Sequence, residues 1–101
     1  MEVSRKIGRN KTRPRIWLEG KILAAAGFRP GNHYDIVTEE GVLKMVLRKK
    51  INGKRKVSGK GETAIVDILG KAIEEAFGVP VPAKVTVTAK KLEITIVPEE
   101  E

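Results

Sequence analysis

The sequence predicts an α+β fold, mainly β, in which two copies of one β-loop-β-α-β-β repeat build a single domain over residues 1–101. Three observations carry this. Shifted by 50 residues the chain falls on itself, Arg5-Lys6-Ile7 on Arg55-Lys56-Val57, Ile16 on Val66, Leu18 on Ile68, Gly20-Lys21 on Gly70-Lys71, Leu23 on Ile73 and Ala26 on Ala76. Short apolar runs enriched in β-branched residues recur in both halves, bounded by turn residues. Between them each half holds one stretch of apolar residues at helical spacing. The first repeat is placed at 2–50, the second at 51–97, and an acidic tail at 98–101. A copy of this length is marginal as an independent domain, so the two are expected to close one core together.

Taken in order, each repeat opens on a strand and a basic loop, then a second strand at 15–18 or 64–68 that feeds a helix. In the second repeat Ile68, Leu69, Ala72, Ile73, Ala76 and Phe77 form the helical stripe, and in the first Leu18, Ile22, Leu23 and Ala26 do so. Asp67 is the expected N-cap of the second helix, with Trp17 at its counterpart. Gly27 and Gly78 are the expected helix ends. One residue dropped near the helix end changes the shift to 49, placing Phe28 on Phe77, Ile36 on Val85, Leu43 on Leu92, Met45 on Ile94 and Leu47 on Ile96. A hairpin follows in each half: strands at 34–38 and 42–47 around Glu39-Glu40-Gly41, and strands at 84–88 and 92–97 around Ala89-Lys90. Asn52-Gly53 is a type I′ signal, expected to fold the last strand of the first repeat back on the first strand of the second.

Composition narrows the function classes. Apolar residues make up 41% of the chain, but the aromatics are only Trp17, Phe28, Tyr34 and Phe77, so the core must be aliphatic. There is no cysteine, which removes disulfides and thiolate metal sites. The charged N-terminal segment lacks the apolar stretch of a signal peptide and no run reaches a membrane span, so a soluble, cytoplasmic protein without membrane contact is expected. Net charge is +7, and the surplus is uneven: residues 1–50 hold 12 Lys/Arg against 5 Asp/Glu, residues 51–101 hold 8 against 8. A polyanion on one surface is the partner such asymmetry favours.

The segment from Arg5-Lys6-Ile7 through the basic loop and the strand around Ile16 to the helix exit Ala26-Gly27-Phe28-Arg29-Pro30-Gly31-Asn32 resembles the AbrB, SpoVT and MazE antitoxin superfamily. Ala26 stands for the family's leucine and Asn32 for its aspartate. Residues 13–37 are also similar to the SymE-type toxins of that superfamily, which share the tryptophan-leucine strand. In the second half Gly78-Val79-Pro80-Val81-Pro82 replaces the glycine turn, so pairing of the halves rests on the internal alignment. The resemblance implies a swapped-hairpin barrel that binds DNA, formed here by one chain as a pseudo-dimer.

The candidate DNA-binding residues are Arg5, Lys6, Arg9, Asn10, Lys11, Arg13 and Arg15 in the first repeat and Lys54, Arg55, Lys56 and Lys60 in the second. Guanidinium groups hold phosphates bidentately and read guanine edges, and asparagine reads adenine, so an Arg-rich loop between strands suits groove entry. Arg48, Lys49 and Lys50 either extend that surface or guard an edge strand. Trp17 is expected in a core or interface, not as a stacking platform for single strands. Catalysis has no support: His33 is the sole histidine and no partner set for a metal accompanies it, Asp67 and Glu19 suit helix starts, and Gly59-Lys60-Gly61 lacks phosphate-loop spacing. No enzyme activity, metal or cofactor is expected. The expected function is duplex DNA binding by a transcriptional regulator or antitoxin-like repressor, with a toxin or other protein as a further partner and homo-oligomers of pseudo-dimers left open. A SymE-like toxin or RNA-binding protein and a basic module that binds an acidic protein are the alternatives.

Overall fold

A computed structural model describes residues 1–49 and 53–99. These form, in chain order, β1 (Glu2–Lys6), β2 (Gly8–Asn10), β3 (Arg13–Glu19), α1 (Lys21–Ala25), β4 (His33–Glu39), β5 (Val42–Arg48), β6 (Arg55–Lys56), β7 (Ser58–Lys60), β8 (Thr63–Leu69), α2 (Gly70–Phe77), β9 (Lys84–Lys90) and β10 (Glu93–Pro98). The fold is α+β and mainly β. A six-stranded antiparallel sheet runs β1-β9-β10-β5-β4-β6 and a four-stranded one runs β2-β3-β8-β7.

Period-two alternation explains how one core forms from these strands. Ile16 and Leu18 of β3, Val66 and Ile68 of β8, Val85 and Val87 of β9, Leu43 and Met45 of β5, and Ile94 and Ile96 of β10 are all buried, while their neighbours in sequence face outward. The helices add Ile22, Leu23, Ile73 and Ala76 to the same cluster. It is aliphatic except at one end, where the rings of Phe28 and Tyr34 meet at 5.9 Å and 58°.

Among the described residues, four of the eight strand pairs join the first half to the second. β3 pairs with β8 about the Trp17↔Asp67 position, from Arg15↔Leu69 to Glu19↔Ile65. β1 has its partner in β9, β6 in β4, and β5 in β10. α1 packs on β9, and α2 on β4 and β5. Each hairpin turn also reaches the opposite helix: the Gly41 N–H donates to the Ala76 carbonyl at 2.8 Å and the Leu92 N–H to the Ala26 carbonyl at 2.9 Å. These bonds satisfy carbonyls that a helix end leaves without partners.

The registers obey one rule. Moving residues of β1 to β3 by 50 and those of β4 and β5 by 51 reproduces the pairs of the other half: Arg5↔Val85 becomes Arg55↔Tyr34, and Lys6↔Lys84 becomes Lys56↔His33. The hairpins therefore correspond at a shift of 51, with Glu39↔Val42 matching Lys90↔Glu93, in place of the expected 49. Shifts of 49 and 51 differ by one strand period, so alternation fits both equally.

Several expectations change with this register. The turn lies at Lys91-Leu92, and Leu92 is half exposed with φ 65, where the first half has Gly41 at φ 76. Leu18, Ile68 and Leu69 lie in strands because β3 and β8 run further than expected, which shortens both helices. The N-caps are Gly20 and Leu69 without side-chain bonds, so Asp67 caps nothing, and Glu19 is an exposed strand residue. β4 lies between β5 and β6, so the strand before Asn52-Gly53 does not fold back on the one after it. Lys50 and Asn52 of that turn fall outside the described residues. Glu99, expected in the frayed tail, donates its backbone N–H to the Lys84 carbonyl at 3.0 Å and accepts from the Ser4 hydroxyl. Glu100 and Glu101 fall outside the described residues.

Candidate nucleic-acid interface

The basic loop expected after β1 is a hairpin. β2 and β3 pair from Gly8↔Arg15 to Asn10↔Arg13, with Lys11-Thr12 as a two-residue turn. Lys11 has φ 63, the positive value that primed turns need at their first central residue, and the matching position in the second half is Gly61 at φ 64. Arg9, Lys11 and Arg13 stand exposed around the tip, with Arg5 and Lys6 on β1. The side chain of Asn10 lies outside the described part.

The second cluster occupies an opposite position. Arg55 and Lys56 form β6, an edge of the larger sheet, and Lys60 lies on β7, an edge of the smaller one. Since β3 and β8 are antiparallel, the turns at Lys11-Thr12 and Gly61-Glu62 lie at opposite ends of the central pair. At about 3.3 Å per residue they are roughly 30 Å apart. The two hairpin tips therefore do not converge. Their chemistry also differs at the tips: Gly59, Gly61, Glu62, Thr63 and Ile65 occupy the counterparts of Arg9, Lys11, Thr12, Arg13 and Arg15. Among the candidate residues only Arg5/Arg55 and Lys6/Lys56 are cationic in both halves.

Two first-half arginines are already paired with carboxylates from the second half. Arg13 donates to Glu74 at 2.7 Å, crossing the start of α2 where a Cβ on Gly70 would stand 2.7 Å from its Nε. Arg15 donates from Nε to Asp67 at 2.8 Å. Among the described residues the other eight candidate cations have no carboxylate within 4.0 Å. Arg48 pairs with Asp35 at 3.3 Å, and Asp35 also accepts from the Lys54 backbone at 3.0 Å, so this arginine ties the end of β5 to β4. The Lys54 N–H and the Arg48 guanidinium hold the Asp35 carboxyl below its ordinary value.

Trp17 is not a core residue: it is 43% exposed on the outer face of β3, and the Arg15 guanidinium carbon sits 4.7 Å from its ring centroid. Strand alternation puts Ile16 and Leu18 inside and Trp17 outside, a signal the sequence already contains once β3 is placed. His33 is half buried, with Nδ1 3.4 Å from the Gly53 carbonyl oxygen. Among the described residues there is no cluster of three or more metal-ligating side chains, and no helix long and apolar enough to cross a membrane.

No family model matches the chain, and neither the curated proteins nor the solved structures contain a match to it.

Proposed function

We propose that the protein binds duplex DNA through the β2–β3 hairpin, as the fused equivalent of an AbrB-like swapped-hairpin dimer acting in transcriptional regulation. The observation that carries this reading is the hairpin tip, where Arg9 and Lys11 project free of carboxylates beside Arg13, on a two-residue turn narrow enough to enter a groove. The exchange of partners between halves supports the fused-dimer part: the hairpin of each half covers the helix of the other. Arg5, Lys6, Arg55 and Lys56 supply phosphate contacts common to both halves, and the tip contacts come from the first half alone. Such a regulator would be cytoplasmic.

The test is the salt dependence of duplex binding. Each neutralised phosphate contributes about 0.9 to the slope of log K against log salt. Replacing Arg9 and Lys11 with Ala should therefore lower the slope by roughly 2. Replacing Lys54 and Lys60 should change it by less. A duplex affinity and slope that survive the Arg9 and Lys11 replacement would take the contact away from the hairpin tip, and survival of both after Arg9, Lys11, Arg13, Arg15, Lys54, Arg55, Lys56 and Lys60 are all replaced would move the reading to an acidic protein partner.

A further inference from the structure

Beside Trp17 the outer surface is concave. Arg5, Lys6, Gly8, Arg9, Arg15 and Trp17 line a shallow, open recess of about 610 Å³. No carboxylate lines it. Arg15 is held from two sides, its Nε by Asp67 and its guanidinium carbon 4.7 Å from the indole centroid, so an aromatic ring and a fixed cation stand together at the wall. Leaving a tryptophan 43% exposed forgoes the burial that its large apolar surface normally gains. A ligand that uses this wall must bring a planar π-system and negative charge together.

We infer that this recess seats one unpaired nucleotide of a DNA strand, its base stacked on Trp17 and its phosphate held by Arg5, Lys6 and Arg9. The inference rests on the nucleic-acid reading above and deepens it: Arg5, Lys6 and Arg9 serve both contacts, and the contact it adds is Trp17. A role in folding alone would be shared by both halves, and this one is not: Asp67, Ile65 and Gly59 stand at the counterparts of Trp17, Arg15 and Arg9. The chain therefore carries one such site, and binding should saturate at one nucleotide per chain.

Trp17 is the sole tryptophan, so its fluorescence reports the site directly. The intact protein is titrated at low salt with thymidine 5′-monophosphate, thymidine, inorganic phosphate and a short oligothymidylate. Quenching by the oligothymidylate and the monophosphate, with little by phosphate alone, is the expected result. Trp17→Ala should weaken oligothymidylate binding, followed by anisotropy of a labelled strand, by roughly 5- to 150-fold, the factor that corresponds to one stacked base. Trp17→Phe should restore most of it. Arg9→Ala, which leaves the indole in place, should shift the quenching midpoint to higher concentration. Quenching by phosphate equal to that by the nucleotide, or an oligothymidylate affinity unchanged in Trp17→Ala, would overturn the inference. Duplex binding measured on the same samples separates the two readings. If the duplex slope stays normal while the recess fails, only the recess falls, and if both fail the nucleic-acid reading falls with it.

Discussion

Lys11 carries two opposed demands on one residue. Its φ of 63 is a region that L side chains occupy at a cost of about 1–2 kcal/mol, and the second half places Gly61 at the matching turn. Lys11→Gly should therefore raise stability by roughly 0.5–1 kcal/mol, after the added freedom of the unfolded chain is subtracted. It should also lower the duplex salt slope by about 0.9. Urea unfolding and binding isotherms on the same variant check both, and a variant that gains neither stability nor a shallower slope would remove the functional reason for keeping a lysine there. Tyr34 makes a pH prediction. Burial raises its phenol above the ordinary value near 10, with Arg55 opposing and Asp67 reinforcing the shift. A folded pKa above the unfolded one means that folding favours the neutral phenol. The associated stability is complete below about pH 10 and declines as pH rises toward the folded value. Tyr34→Phe should leave neutral-pH stability nearly unchanged and flatten the alkaline limb of a stability profile.

At the scale of elements, the strands were legible from their short apolar, β-branched runs: Ile16, Val66, Ile94 and Ile96 lie in strands as expected, and all four face inward. Element ends were not. Leu18 and Leu69 fit a helical stripe and a strand equally well, and the pairing of β3 with β8 decides in favour of the strand. The hairpin shift failed for the related reason that a two-residue slip preserves which face is apolar. Of the candidate site, the cations and their concentration in the first half were readable from charge alone. What the sequence could not reveal is that Arg13 and Arg15 meet Glu74 and Asp67, because these partners lie more than 50 residues away along the chain. The pairing yields a prediction for α2. Glu74 competes with phosphate for Arg13, so Glu74→Ala should strengthen duplex binding and steepen its salt slope by up to about 0.9. Exposed ion pairs contribute about 0–1 kcal/mol, and alanine suits the helix interior, so the melting temperature should hardly move. An unchanged slope would place Arg13 outside the interface.

For the whole molecule the decisive feature is where each element finds its partner. In the first half β2 pairs with β3 and β4 with β5, but among the described residues β1 is paired only with β9, β3 has its long partner in β8, and α1 packs on β9 as well as on β3. The buried cluster is likewise drawn from both halves, with Ile16, Leu18, Leu23 and Leu43 from one and Val66, Ile68, Ile73, Ile94 and Ile96 from the other. Residues 1–49 expressed alone would retain two short hairpins and a five-residue helix, with their apolar faces uncovered. Isolated hairpins and helices this short are marginal in water. The fragment has one escape, because the registers of the two halves obey the same rule: a second copy of the fragment can take the place of residues 53–99, with its own β3 opposite β3 and its own β5 opposite β5. The expected outcome is an unfolded chain at low concentration and a dimer whose stability rises with concentration, followed by sedimentation and circular dichroism. Full-length protein should instead unfold in one step at a midpoint independent of concentration, because the same contacts are there intramolecular. A fragment that unfolds cooperatively as a monomer would refute the shared core, and one that stays unfolded at every concentration would show that the second half has diverged beyond replacement by the first.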